Sequence, residues 1–140
     1  MRMYLIDTNV FLELLLGRKK AEECEKLFNA LEEKRMSAIA THYSIYSICL
    51  YCARNNMAGA AKTFLKYLAG LENLEVINTT VEDDIKIIGT MAETGLDFDD
   101  SLQHYTAKET DCKGIITFDN DFTKAGIKAF TPKEVLAKTF

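Results

Sequence analysis

The chain has 140 residues, 48% hydrophobic and 27% charged, with a net charge of −4. That is the size and composition of one soluble globular domain able to bury a real core, so a single unit over 1–140 is expected. No apolar run approaches the ~18 residues that span a bilayer, and "MRMYLID" runs straight into a core strand, so no membrane segment and no signal peptide are expected and a cytoplasmic location is predicted.

"MYLI" (3–6) reads as a short buried strand, and "TNVFLELLLG" follows as a helix with Thr8 or Asn9 as cap and Gly17 as terminator. Ala21, Cys24, Leu27, Phe28 and Leu31 recur at helical spacing and predict a helix over about 20–34. "MSAIA" (36–40) is a second strand, and a helix then runs from Thr41 or His42 to about Arg54. Met57, Ala60, Ala61, Phe64, Leu65 and Leu68 form the apolar stripe of another helix. "LEVIN" (74–78) is a third strand. Thr79 with Glu82 suggests a capping box for a helix through Val81, Ile85, Ile88 and Ala92, ended by Gly95. Asp99 or Asp100 opens a helix to about Cys112. "GIITF" (114–118) and "IKAF" (127–130) are the remaining strands. Thr131, Pro132 and Glu134 make a capping box with proline in the first turn of a last helix. Five short apolar strands alternating with helices predict an α/β fold: a three-layer α/β/α sandwich around a mainly parallel sheet.

Cys49 and Cys52 form a C-x-x-C, but inside an apolar helix with no second pair they read as small hydrophobes, not as a zinc or redox site. "GRKK" (Arg18, Lys19, Lys20) reads as a solvated loop, with a phosphate clamp as the alternative. His42 and His104 have no metal-ligand spacing to each other; His104 lies one turn after Asp100. Tyr43, Tyr46 and Tyr51 have the aromatic character to stack bases, while packing on the sheet or on a second copy explains them as well.

Three groups of acids remain. Asp7 follows the first strand, Asp119 and Asp121 follow the fourth, and "LDFDDS" places Asp97, Asp99 and Asp100 at a helix start. Ligands of an open parallel sheet bind at the carboxyl ends of its strands. If the helix of Asp100 begins beside that edge, Asp7, Asp100 and Asp119 converge and need a counter-charge, for which Mg²⁺ or Mn²⁺ is the natural choice. A phosphoacceptor receiver domain would need adjacent acids after strand one and an Asp after strand three, and the chain has a single Asp7 and "NTT" there.

"YLIDTNVFLELL", "LDFDDSLQHYTAKE" and "GIITFDNDF", in this order and spacing, resemble the PIN domain, a family that includes the VapC-type ribonuclease toxins of toxin–antitoxin pairs. The resemblance implies a Mg²⁺- or Mn²⁺-dependent endoribonuclease with Asp7, Asp100 and Asp119 as catalytic acids, Asp121 as a further metal ligand, and Asn9 and Thr117 as supporting polar residues. It also implies an RNA substrate, an antitoxin partner and a homodimer, for which "THYSIYSICLYC" offers apolar surface. The family pattern carries a Glu in the helix after strand two, within a motif like T-L-x-E-I. No acid occurs here between Lys34 and Glu72; Ser47 is the first choice for that position and Ser44 the second. A catalytically weak or inactive PIN-fold binding module is the alternative function.

Overall fold

The computed structural model describes residues 3–139. In chain order the elements are β1 (Met3–Ile6), α1 (Thr8–Leu15), α2 (Ala21–Glu32), β2 (Ser37–Thr41), α3 (His42–Arg54), α4 (Ala58–Ala69), β3 (Leu74–Ile77), α5 (Val81–Thr94), α6 (Phe98–Glu109), β4 (Ile115–Ile116), α7 (Asp121–Lys124), β5 (Ala129–Phe130) and α8 (Pro132–Thr139). The strands form one sheet in the order β3-β2-β1-β4-β5, with every pairing parallel. Because neighbouring strand residues point to opposite faces, the sheet buries two cores. Tyr4, Ile6, Ala38, Ala40 and Ile116 pack with Phe11, Phe28, Ile48, Phe64 and Val135, under α1, α2, α3, α4 and α8. Leu5, Ile39 and Ile115 pack with Leu96, Ala107 and Phe122 on the other side. This is the expected three-layer sandwich. Among the described residues no helix is long and apolar enough to cross a membrane.

Three helix starts differ from the sequence expectation, each because a neighbouring side chain takes the cap. Asp7, not Thr8 or Asn9, caps α1: its backbone is still extended and its carboxylate accepts from the Thr8 N–H. Thr80 caps α5 in a reciprocal box with Asp83, while Thr79 donates to Asp84. Asp97 caps α6 by accepting from the Asp100 N–H, so Asp99 and Asp100 lie within the first helical turn. Gly95 ends α5 as expected, at φ 73°, where a residue with a Cβ would be strained. Gly114 serves closeness: a Cβ there would stand 2.7 Å from the Phe130 ring and 2.9 Å from the Lys128 carbonyl, so glycine lets β4 approach β5. The predicted box of Thr131 and Glu134 starts α8.

The apolar spacing that predicts α5 does not mark its buried face. Val81, Ile85 and Ile88 are 72%, 66% and 62% exposed, and Ile87 is the buried residue. The helix leans on α6, where the Tyr105 hydroxyl donates to Asp83, instead of lying flat on the sheet. On α3, Cys52 is buried and Cys49 half-buried, both as free thiols, and Tyr46 and Leu50 stand in solvent.

Candidate functional site

β1 is the central strand, with β2 on one side and β4 on the other. Its carboxyl end therefore delivers Asp7 between the end of β2, Thr41, and the segment after β4, Thr117 to Asp119. α6 begins beside the same edge. A cavity of about 240 Å³ is lined there by Asp7, Thr8, Asn9, Leu12, Tyr43, Asp99, Asp100, Gln103 and Asp119. Asp100 also walls an adjoining cavity of about 370 Å³ with Asp97, Asp121 and Lys124. The larger hollow, about 660 Å³ between α1, α2 and α4, holds none of these acids.

Within the cleft the carboxylates have different surroundings. Asp100, Asp119 and Asp121 each offer an oxygen within 4.8 Å of the others. Among the described residues Asp7 is not a member of that tight group; it forms the buried floor beside it, 6% exposed. Its Oδ1 accepts from the Thr8 N–H at 2.8 Å and from Gln103 Nε2 at 3.0 Å, and its Oδ2 from Thr117 Oγ1 at 2.8 Å and Asn9 Nδ2 at 3.4 Å. Burial pushes the Asp7 carboxyl above its ordinary range, and the donors from Gln103, Thr117 and Thr8 pull against that shift without cancelling it. The Asp100 carboxyl is pushed up to about 7, first by burial and then by the negative charges of Asp97, Asp7, Asp119 and Asp121. The ion pair at the cluster, Lys124 to Asp121, spans 3.8 Å between two exposed side chains. Three converging carboxylates, one of them raised toward neutrality by burial and then by its charged neighbours, are a donor set that fits a hard divalent cation.

The supporting residues are also brought together. Thr117 Oγ1 donates to Asp7, accepts from Asn9 Nδ2 at 3.1 Å and accepts from the Asp119 N–H at 3.0 Å, tying the two acids through one hydroxyl. Asn9 Oδ1 accepts from the Phe118 N–H, which pins the segment after β4. Asp119 in turn accepts from the Asp121 N–H at 2.9 Å. Lys20 of the basic loop lies over the Phe118 ring, 5.9 Å from its centre, and lines a separate hollow with Lys26 and Lys133.

The two serine candidates separate clearly. Ser47 Oγ donates to the Tyr43 carbonyl one turn back on α3, which spends its hydroxyl inside the helix. Ser44 is fully buried, and its Oγ meets Thr8 Oγ1 at 2.7 Å and Gln103 Nε2 at 3.0 Å. The second-choice position is therefore the one that adjoins Asp7. It also fits the T-L-x-E-I pattern directly, since Ser44 stands three residues after Thr41. Gln103 carries no part in the sequence reading, although its place three residues after Asp100 puts both on one helix face. His104, one position on, points elsewhere: it lines a cavity with Lys108 and Lys113, and burial lowers its imidazole pKa. His42 stacks on Tyr46, with ring centres 4.9 Å apart.

The fold and this acidic cleft define a class, and sequence comparison agrees: residues 4–128 match the family model described as PIN domain. The chain belongs to the PIN domain family. No curated protein is matched by sequence. Among solved structures, the chain is similar to a toxin–antitoxin complex from Klebsiella pneumoniae, at 21% identity and a TM-score of 0.67, covering 92% of this chain and 97% of that one. It is similar to VapC20 of Mycobacterium tuberculosis, described as a sarcin-ricin loop cleaving toxin, at 15% identity and a TM-score of 0.72, over 90% and 96% of the two chains. VapBC2 from Rickettsia felis, bound to a DNA fragment from its promoter, gives 14% identity and a TM-score of 0.67, over 88% and 92%. At these identities the likeness is one of fold.

Proposed function

We propose that this PIN domain is a metal-dependent endoribonuclease, the toxin of a toxin–antitoxin pair. The observation that carries the reading is the convergence of Asp100, Asp119 and Asp121 over a buried Asp7 at the carboxyl edge of the sheet. The similarity to a toxin–antitoxin complex and to a sarcin-ricin loop cleaving toxin supports the setting and RNA as substrate. Asp100, Asp119 and Asp121 would hold Mg²⁺ or Mn²⁺. A bound cation of this kind supplies charge neutralisation at a phosphodiester and an acidified water as nucleophile. The chain's own residues prepare the place. Asp7, fixed by four donors, is a stationary carboxyl at the floor. Thr117 and Asn9 hold Asp7 and the backbone of Asp119 in one register. Asp100, beside them, has its carboxyl pushed up to about 7, first by burial and then by the surrounding acids.

The test is incubation of the purified protein with a pool of single-stranded RNA in Mn²⁺, beside Asp119→Asn. Cleavage by the native protein and none by the variant is expected. Cleavage that persists in the variant would mean a contaminant, and none in either protein would favour the binding-module alternative, which the neutral Ser44 in place of an acid supports.

A homodimer belongs to the same reading. Tyr46 and Leu50 on α3 and the row Val81, Ile85, Ile88 on α5 leave large apolar side chains in water, the kind of surface a second copy covers. Light scattering should give twice the chain mass for the native protein. Ile85→Asp combined with Ile88→Asp should shift it toward the monomer, whereas an unchanged mass would remove α5 from the interface.

A further inference from the structure

Gln103 is the most deeply placed polar side chain of α6 that touches the acids, 1% exposed. Its Nε2 donates to Asp7 Oδ1 and to Ser44 Oγ, each at 3.0 Å, and its Oε1 accepts from Thr41 Oγ1 at 2.8 Å. A primary amide has two N–H groups, and both are used. Burying an amide is costly unless it is bonded, so a position that only needed filling would be served as well by methionine. The bonding pattern is instead that of an orienting group: it joins the end of β2, the start of α3 and the acid at the end of β1. The amide also lies directly between Ser44 and Asp7. A longer acidic side chain at position 44, aimed at Asp7, would run into it. The amide and an acid from α3 therefore compete for one volume.

We propose that Gln103 is a positioning residue that holds Asp7 through a neutral amide, in the space an acid from α3 would otherwise occupy, so that this site is built with one carboxylate fewer. The proposal rests on the metal-dependent reading above. Groups that orient a metal site from behind its ligands are typically worth about 10- to 100-fold in metal affinity or activity.

The experiment is calorimetric titration with Mn²⁺ of the native protein, Gln103→Met, Gln103→Ala, and Gln103→Ala combined with Ser44→Glu, each checked for folding by its melting curve. Gln103→Met should bind Mn²⁺ about 10-fold more weakly at the lower end of that range. Gln103→Ala should be at least as weak. The double variant should recover the affinity that Gln103→Ala loses, because the carboxylate then enters the vacated volume. A merely structural role predicts lowered melting temperatures with unchanged affinity and no recovery by glutamate, and that result overturns the proposal. Should Gln103→Met fail to fold, Ser44→Ala carries the test: it keeps the amide but strips one N–H of its acceptor, and affinity equal to the native protein's overturns the proposal. A native protein that binds no Mn²⁺ overturns the nuclease reading and this proposal with it, whereas native binding matched by every variant overturns this proposal alone.

Discussion

Asp100→Asn should abolish measurable Mn²⁺ binding, lower RNA cleavage by at least about 100-fold, the scale of losing one contributor to a preorganised electrostatic site, and yet stabilise the metal-free protein. The last effect follows from the charge pattern. Asp100 ionises at about 7 in the fold instead of near 3.8, first because it is buried and then because Asp97, Asp7, Asp119 and Asp121 repel its charge. A carboxyl whose pKa is raised by folding contributes stability that is complete below its unfolded pKa and is lost as pH rises through the folded value. The native metal-free protein should therefore lose this contribution between pH 3.8 and about 7. Asparagine has no charge to bury, so the melting temperature of Asp100→Asn relative to the native protein should climb over that window and level off above it. Saturating Mn²⁺ should reverse the order at pH 8, because a ligand that binds only the folded state stabilises it, by about 2.7 kcal/mol at a hundredfold excess over Kd. Equal melting temperatures for the two proteins at pH 8, with and without Mn²⁺, would remove Asp100 from the site.

The sequence announces the sheet because β1, β2 and β4 are short, apolar and buried on both faces, and a continuous apolar run reports such burial. The sites of Asp7 and Asp119 were legible for a related reason: each follows a strand, and a parallel sheet sends all its strand ends to one edge. Asp100 needed the helix start placed beside that edge, which only the packed structure supplies. α5 shows where periodicity misleads. Val81, Ile85 and Ile88 recur at helical spacing, yet they form the outward row, because spacing fixes which residues share a face and not which way that face turns. Ser44 and Gln103 were obscured by a different limit. Their roles exist only as a contact between α3 and α6, 59 residues apart in sequence. A polar residue on the buried side of α6, three positions after an acid, is the signal the sequence carries for it.

Phe11→Ala should be the most damaging single change to the fold, and it reaches the site through α1. Phe11 is fully buried, with ring centres 5.6 Å from Phe28 and 6.4 Å from Phe64, so it joins α1 to α2 and α4 in one core. Removing a buried Phe side chain typically costs about 3–5 kcal/mol in lost transfer and residual cavity. Against a total of about 5–15 kcal/mol for a domain, that is a large share of the stability. For a chain of this size the melting temperature should fall by about 10–20 °C. The first turn of the same helix carries Asn9 and is capped by Asp7, so loosening α1 also loosens the floor of the cleft. Mn²⁺ should therefore recover part of the lost melting temperature in Phe11→Ala, since closing the site around a cation favours the docked helix. Phe11→Leu keeps most of the volume and should lose much less. A fall of under about 1 kcal/mol in Phe11→Ala would be the size of a surface substitution, and it would mean that α1 is not anchored through this ring.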